Sequence, residues 1–223
     1  MNNITEIVYI LDRSGSMSGL EEDTIGGFNS MIDKQKKTNE QAFVSTILFD
    51  NETTVLHDRV PINKIGKMTN KQYYTRGSTA LLDAIGGSIN HIGNIHKYAR
   101  KEDIPSKTIF VITTDGMENA SRNYSYETVH KMIKRQKEKY GWEFIFIGAN
   151  IDSEKEAKRF GINKERAVNY MRDKVGTANL YASVSKAVCS AMKAESAMEM
   201  YESLNDSDWD EEVRLDYNKR SKH

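Results

Sequence analysis

Five side chains in three separated stretches of this 223-residue chain share one kind of chemistry. The stretches read Asp12-Arg13-Ser14-Gly15-Ser16, Gly77-Ser78-Thr79 and Thr114-Asp115-Gly116. Asp12, Ser14, Ser16, Thr79 and Asp115 offer two carboxylates and three hydroxyls, with no His or Cys among them. Hard cations such as Mg²⁺ prefer such an all-oxygen set. Mg²⁺ keeps several waters, so a few hydroxyls suffice, with carboxylates acting directly or through water. Two aspartate charges roughly neutralise a divalent ion, and a metal held largely by neutral hydroxyls keeps its pull on an incoming anion.

In order, separation and setting, these residues resemble the metal-ion-dependent adhesion site of von Willebrand factor type A domains, and the likeness spans roughly residues 4–200. The resemblance implies that Ser14, Ser16 and Thr79 ligate Mg²⁺ or Mn²⁺ through their hydroxyls, while Asp12 and Asp115 act directly or through water. It further implies that the remaining position accepts an Asp or Glu carboxylate from a protein partner, and that the chain binds rather than catalyses. The stretches Thr114–Ser121 and Phe146–Asp152 are similar to small stand-alone bacterial and phage members of that family.

Tyr74 and Arg76 precede the Thr79 loop, and Glu118 and Asn119 follow Asp115, so these four are candidates for a rim around the site. Tyr and Arg are favoured where partners bind. The run Tyr73-Tyr74-x-Arg76 could equally pin the loop before Thr79.

The rival class is a metal-dependent hydrolase or phosphatase using Asp12. An aspartate after an apolar strand opens the haloacid-dehalogenase phosphatases, but that family has a second acidic residue two positions on, where this chain has Ser14. There is no Gly-x-x-x-x-Gly-Lys-Ser/Thr phosphate loop and no Gly-x-Ser-x-Gly elbow. His91 and His96 do not share a helical face, and Cys189 in an Ala-rich stretch reads as a buried, inert thiol.

Elements that would hold these loops follow from the patterning. Ile4 to Leu11 is β-branched, aromatic and nearly continuous in apolar character, as in a strand covered on both faces. Leu20, Ile25, Phe28, Met31 and Ile32 recur at helical spacing. Phe43–Phe49 and Thr53–His57 flank the turn Asp50-Asn51-Glu52 as an antiparallel hairpin. A helix through Leu81 to Ile92, a strand over Lys107–Thr114, a helix over Tyr126–Tyr140, a strand over Trp142–Ile147, a helix over Glu154–Phe160 and a weak strand near Ala167–Tyr170 follow. This alternation predicts an α/β, Rossmann-like, doubly wound sheet, mostly parallel with one antiparallel edge strand and helices on both faces. Ligands in such sheets sit beyond the carboxyl ends of the strands, where the order reverses. One domain is expected over residues 1–204, closed by a single long helix over about 177–204, with residues 205–223 as a charged, solvated tail.

Composition narrows the partners. Lys and Arg number 32, as do Asp and Glu, so no global field draws the chain to nucleic acid or to an anionic membrane. No apolar run is long enough for a span, and no basic-then-apolar leader is present, so neither spanning nor secretion is expected. A single cysteine excludes an internal disulfide and fits a reducing compartment, so a cytoplasmic location is expected.

Overall fold

Every residue of the first strand, β1 (Thr5–Asp12), is buried, and its side chains divide between two cores by the two-residue period of a strand. Ile7, Tyr9 and Leu11 enter one core and Val8 and Ile10 the other. The computed structural model describes residues 3–221. After β1 come α1 (Glu21–Lys36), β2 (Ala42–Phe49), β3 (Thr53–Pro61), α2 (Leu81–Tyr98), β4 (Lys107–Thr114), α3 (Tyr126–Tyr140), β5 (Glu143–Gly148), α4 (Ser153–Phe160), β6 (Ala167–Asn169), α5 (Lys174–Lys193), α6 (Ala197–Asp206) and α7 (Glu211–Arg220).

The strands form one six-stranded sheet in the order β3-β2-β1-β4-β5-β6. All neighbours are parallel except the edge pair β2 and β3, as the hairpin reading requires. The first core lies under α1, α5, α6 and α7, with Phe28, Leu180, Leu204 and Val213 at its centre. The second lies under α2, α3 and α4, around Leu81, Ile133 and Phe160. Burying an aliphatic or aromatic side chain of this size contributes about 1.5–3 kcal/mol, so a sheet covered on both faces gains from the apolar residues on both sides of its central strands.

Two expectations need correction. The long helix expected over 177–204 is two helices, broken between Lys193 and Ala197. The buried ammonium of Lys107 takes the carbonyls of Met192, at 2.9 Å, and Ala194, which ends α5. Ser196 then accepts from the Glu199 amide, and Glu199 accepts from the Glu195 amide at 2.7 Å, a variant of the capping box. The tail is likewise not wholly solvated. Trp209 and Val213 are buried in the first core, Arg214 donates to the Ala167 carbonyl at 2.8 Å, and residues 211–220 are helical. Apolar residues spaced four apart, flanked by charges that hide them in the sum, explain that docking. Met1, Asn2, Lys222 and His223, which belong to the expected domain and tail, lie outside the described residues.

Candidate metal centre

β1 and β4 are adjacent and parallel, with Leu11 opposite Thr113, so Asp12 and the pair Thr114-Asp115 leave the sheet side by side. From β1 the chain winds toward β2 on one side, and from β4 toward β5 on the other. The crevice between these departures is where such folds place ligands.

Asp12 is 1 % exposed and fully engaged. Its Oδ1 accepts from the Ser14 amide at 2.7 Å and its Oδ2 from the Thr114 hydroxyl at 2.6 Å. The buried Tyr73 hydroxyl donates to the Asp12 carbonyl at 2.6 Å. Burial pushes the Asp12 carboxyl above its ordinary value; the hydrogen bonds from Ser14 and Thr114 oppose this and the nearby Asp115 charge adds to it.

The Ser14 and Ser16 hydroxyls lie 2.9 Å apart, and Ser16 donates to Asp115 Oδ1. Thr79 is held through its backbone: its amide donates to Asn119 Oδ1 at 2.9 Å, and its carbonyl accepts from the Asn119 and Ala120 amides. A Cβ placed on Gly116 would lie 3.4 Å from both Ser16 Oγ and Thr79 Oγ1, so these hydroxyls converge over a residue that has no side chain to separate them. Gly77, at φ +66°, accepts from the Gly15 amide at 3.0 Å and joins the first two loops; any side chain there would strike Asn51. The three stretches therefore meet, and their oxygens suit a small hard cation. Among the described residues no cluster of three or more His, Cys, Asp or Glu side chains could hold a metal, so a cation here must draw on the hydroxyls.

The four rim candidates separate. Tyr74 is 45 % exposed, and its ring lies beside the guanidiniums of Arg13 and Arg76. Arg76 is anchored to Asp50 at 2.8 Å and, through its amide, to the Arg13 carbonyl. Glu118 is spent on local structure: its carboxylate accepts from the Leu82, Ala120 and Ser121 amides and from the Ser121 hydroxyl, closing the N-terminus of α2. Asn119 supports Thr79. His91 and His96 pair with Asp58 and Glu6, and Cys189 on α5 is half-buried, its thiol pushed up by burial.

Sequence reasoning missed Thr114, the buried pair Arg13 and Asp50, and Arg172; Tyr73, read beside Tyr74 and Arg76 as rim or loop pin, is the pin. Arg172 Nε donates to Asp115 Oδ2 at 2.7 Å, and its Nη2 donates to the carbonyls of Ser16 and Ser18. Thr114 could have been read from its place before Asp115. Arg172 carries no local signal, because it reaches the site from the loop after β6.

No family model matches this chain, and no curated protein is similar to it at the sequence level. Solved structures do share its fold. A von Willebrand factor type A protein from Catenulispora acidiphila superposes with TM-score 0.56 at 16 % identity, over 83 % of this chain and 42 % of that one. Proximal thread matrix protein 1 from the mussel byssus gives 0.56 at 14 %, over 83 % and 46 %. The PilB minor pilin of Streptococcus sanguinis gives 0.60 at 10 %, over 83 % and 61 %. The architecture is thus that of a von Willebrand factor type A-like Rossmann fold, and the chain spans roughly half the length of these neighbours. Among the described residues no helix is long and apolar enough to cross a membrane.

Proposed function

We propose that this chain is a protein-binding module whose partner is engaged through Mg²⁺ or Mn²⁺ at the edge above β1 and β4. One observation carries the reading: three loops remote in sequence bring the hydroxyls of Ser14, Ser16 and Thr79 together with the carboxylate of Asp115. A bound divalent ion would supply an electrophilic position for an Asp or Glu carboxylate of the partner. Ser14, Ser16, Thr79 and Asp115 face that position, and Asp12 holds the loop from beneath through the Ser14 amide and Thr114. Tyr74 and Arg76 form the exposed rim beside it.

The engagement of Asp12 also favours binding over hydrolysis. A carboxylate with both oxygens bonded and 1 % exposure is not presented to a substrate as a nucleophile. We further propose a cytoplasmic, stand-alone protein of bacterial or phage type, in keeping with its lone cysteine and the likeness of residues 114–121 and 146–152.

Thermal unfolding tests the metal reading. A ligand that binds only the native state at a hundredfold excess over Kd adds about 2.7 kcal/mol. Millimolar Mg²⁺ or Mn²⁺ should therefore raise Tm and EDTA reverse it, while Thr79→Ala abolishes the response; an unresponsive wild-type Tm would defeat the proposal. Incubating metal-loaded protein with general phosphatase and esterase substrates separates the classes, because turnover lost in Asp12→Ala would indicate an enzyme.

A further inference from the structure

Arg172 belongs to no ligand set, yet it holds a buried charge of the site. The Asp115 side chain is fully buried, and one of its two oxygens is taken by the guanidinium. We propose that Arg172 is a resident counter-ion, which occupies Asp115 in the metal-free protein and must swing off it for a divalent cation to bind. This rests on the metal-binding reading above.

Buried carboxylates need a compensating charge, and Asp115 has the Asp12 carboxylate as a neighbour in the same crevice. Arg172 supplies that charge and also fastens the carbonyls of Ser16 and Ser18, so it braces the hydroxyl-bearing loop to the loop after β4. The Ser16 proton on Asp115 is compatible with a cation, because a hydroxyl can donate to a carboxylate while a lone pair faces a metal. The guanidinium is not compatible in the same sense: a cation sharing a carboxylate with a divalent ion is repelled at short range.

The path of release is also visible. The Arg172 side chain is 30 % exposed, so solvent is open to it. Its backbone is fixed. The Tyr170 amide donates to the Gly148 carbonyl at 3.0 Å, the Asp173 amide to the Met171 carbonyl at 2.8 Å, and the Asp173 carboxylate caps α5 at Gly176 and pairs with Arg220 of α7. The side chain therefore rotates on a stationary loop.

Isothermal titration with MnCl₂, on the full chain stripped with EDTA, tests this in wild type, Arg172→Gln and Arg172→Lys. Removing the competing charge should tighten Mn²⁺ binding by about tenfold or more in Arg172→Gln. The same variant should have a lower Tm in EDTA, because the brace is gone. Arg172→Lys keeps the charge without the fork, so its affinity should fall between the two. Unchanged or weaker binding in Arg172→Gln, with wild type binding normally, overturns the counter-ion role alone. If Arg172→Gln does not fold, Arg172→Lys decides the matter, and binding no tighter than wild type overturns the proposal. Binding by none of the three defeats the metal reading and the counter-ion with it.

Discussion

Asp50 and Asp115 end neighbouring parts of the same sheet edge, both have fully buried side chains, and each meets an arginine at 2.7 Å. Their surroundings differ. Asp50 Oδ2 accepts from Arg13 and from Arg76, and its Oδ1 takes the Glu52 amide at 2.8 Å. Arg13 is itself only 3 % exposed and spends Nη2 on Thr54, so the first loop, the hairpin turn and the segment before Thr79 are locked by a closed set of bonds. Asp115 has one half-buried guanidinium and one hydroxyl, partners that solvent or a cation can replace. The same pairing of residue types is architecture where two arginines, one of them buried, and an amide fill the carboxylate, and a poised site where a single part-exposed arginine and one hydroxyl do.

Breaking the closed set should cost most. Asp50→Ala strands the buried Arg13 charge, and removing one member of a buried pair costs about 3–5 kcal/mol. Urea denaturation should show that loss, and a cost under about 1 kcal/mol would erase the contrast. Asp115→Ala should destabilise less, because Arg172 can turn to solvent, but should abolish the Mg²⁺-dependent rise in Tm. Acid sharpens the distinction further. Burial acts to raise the Asp50 carboxyl, but the Arg76 hydrogen bond, the Glu52 amide and the charges of Arg13 and Arg76 outweigh it and hold it below its ordinary value of 3.8. Asp50 therefore contributes stability that is present above that value and is lost as pH falls through its folded value. The stability difference between wild type and Asp50→Asn should shrink as the pH is lowered below about 3.8, and a difference independent of pH would refute the assignment. The smallest effect belongs to Tyr74→Ala, within about 0.5 kcal/mol in stability, with any loss confined to partner capture.

Most of the sheet was legible because strand burial is written as a run of Val, Ile and aromatic residues, and because the hairpin turn announces itself in Asp50-Asn51-Glu52. The three oxygen-bearing stretches were legible for a related reason: each follows directly on a strand end, or precedes a helix, so local pattern places it. Arg172 lies 57 residues from Asp115, and nothing in the neighbourhood of either predicts their meeting. The break near Ser196 is a different kind of miss. Ser196-Ala197-Met198-Glu199 has the spacing of a capping box, but the Ala- and Met-rich periodicity runs through it and masks the start signal. The docked segment ending in α7 was hidden by composition, since Trp209 just before the helix and Val213 within it sit among acids and bases that dominate the sum.

That last segment bears on how the protein can be handled. Shortening the chain after Leu204 would look like tidying a ragged end, yet it would uncover apolar surface on α5 and beside β6 and invite aggregation. It would also remove Arg220, whose grip on Asp173 steadies the residue next to Arg172. A trimmed protein with altered metal response would then be reporting a loosened anchor rather than a damaged ligand set, so affinity handles and fluorescent labels belong elsewhere, on exposed side chains such as Tyr98 at the end of α2.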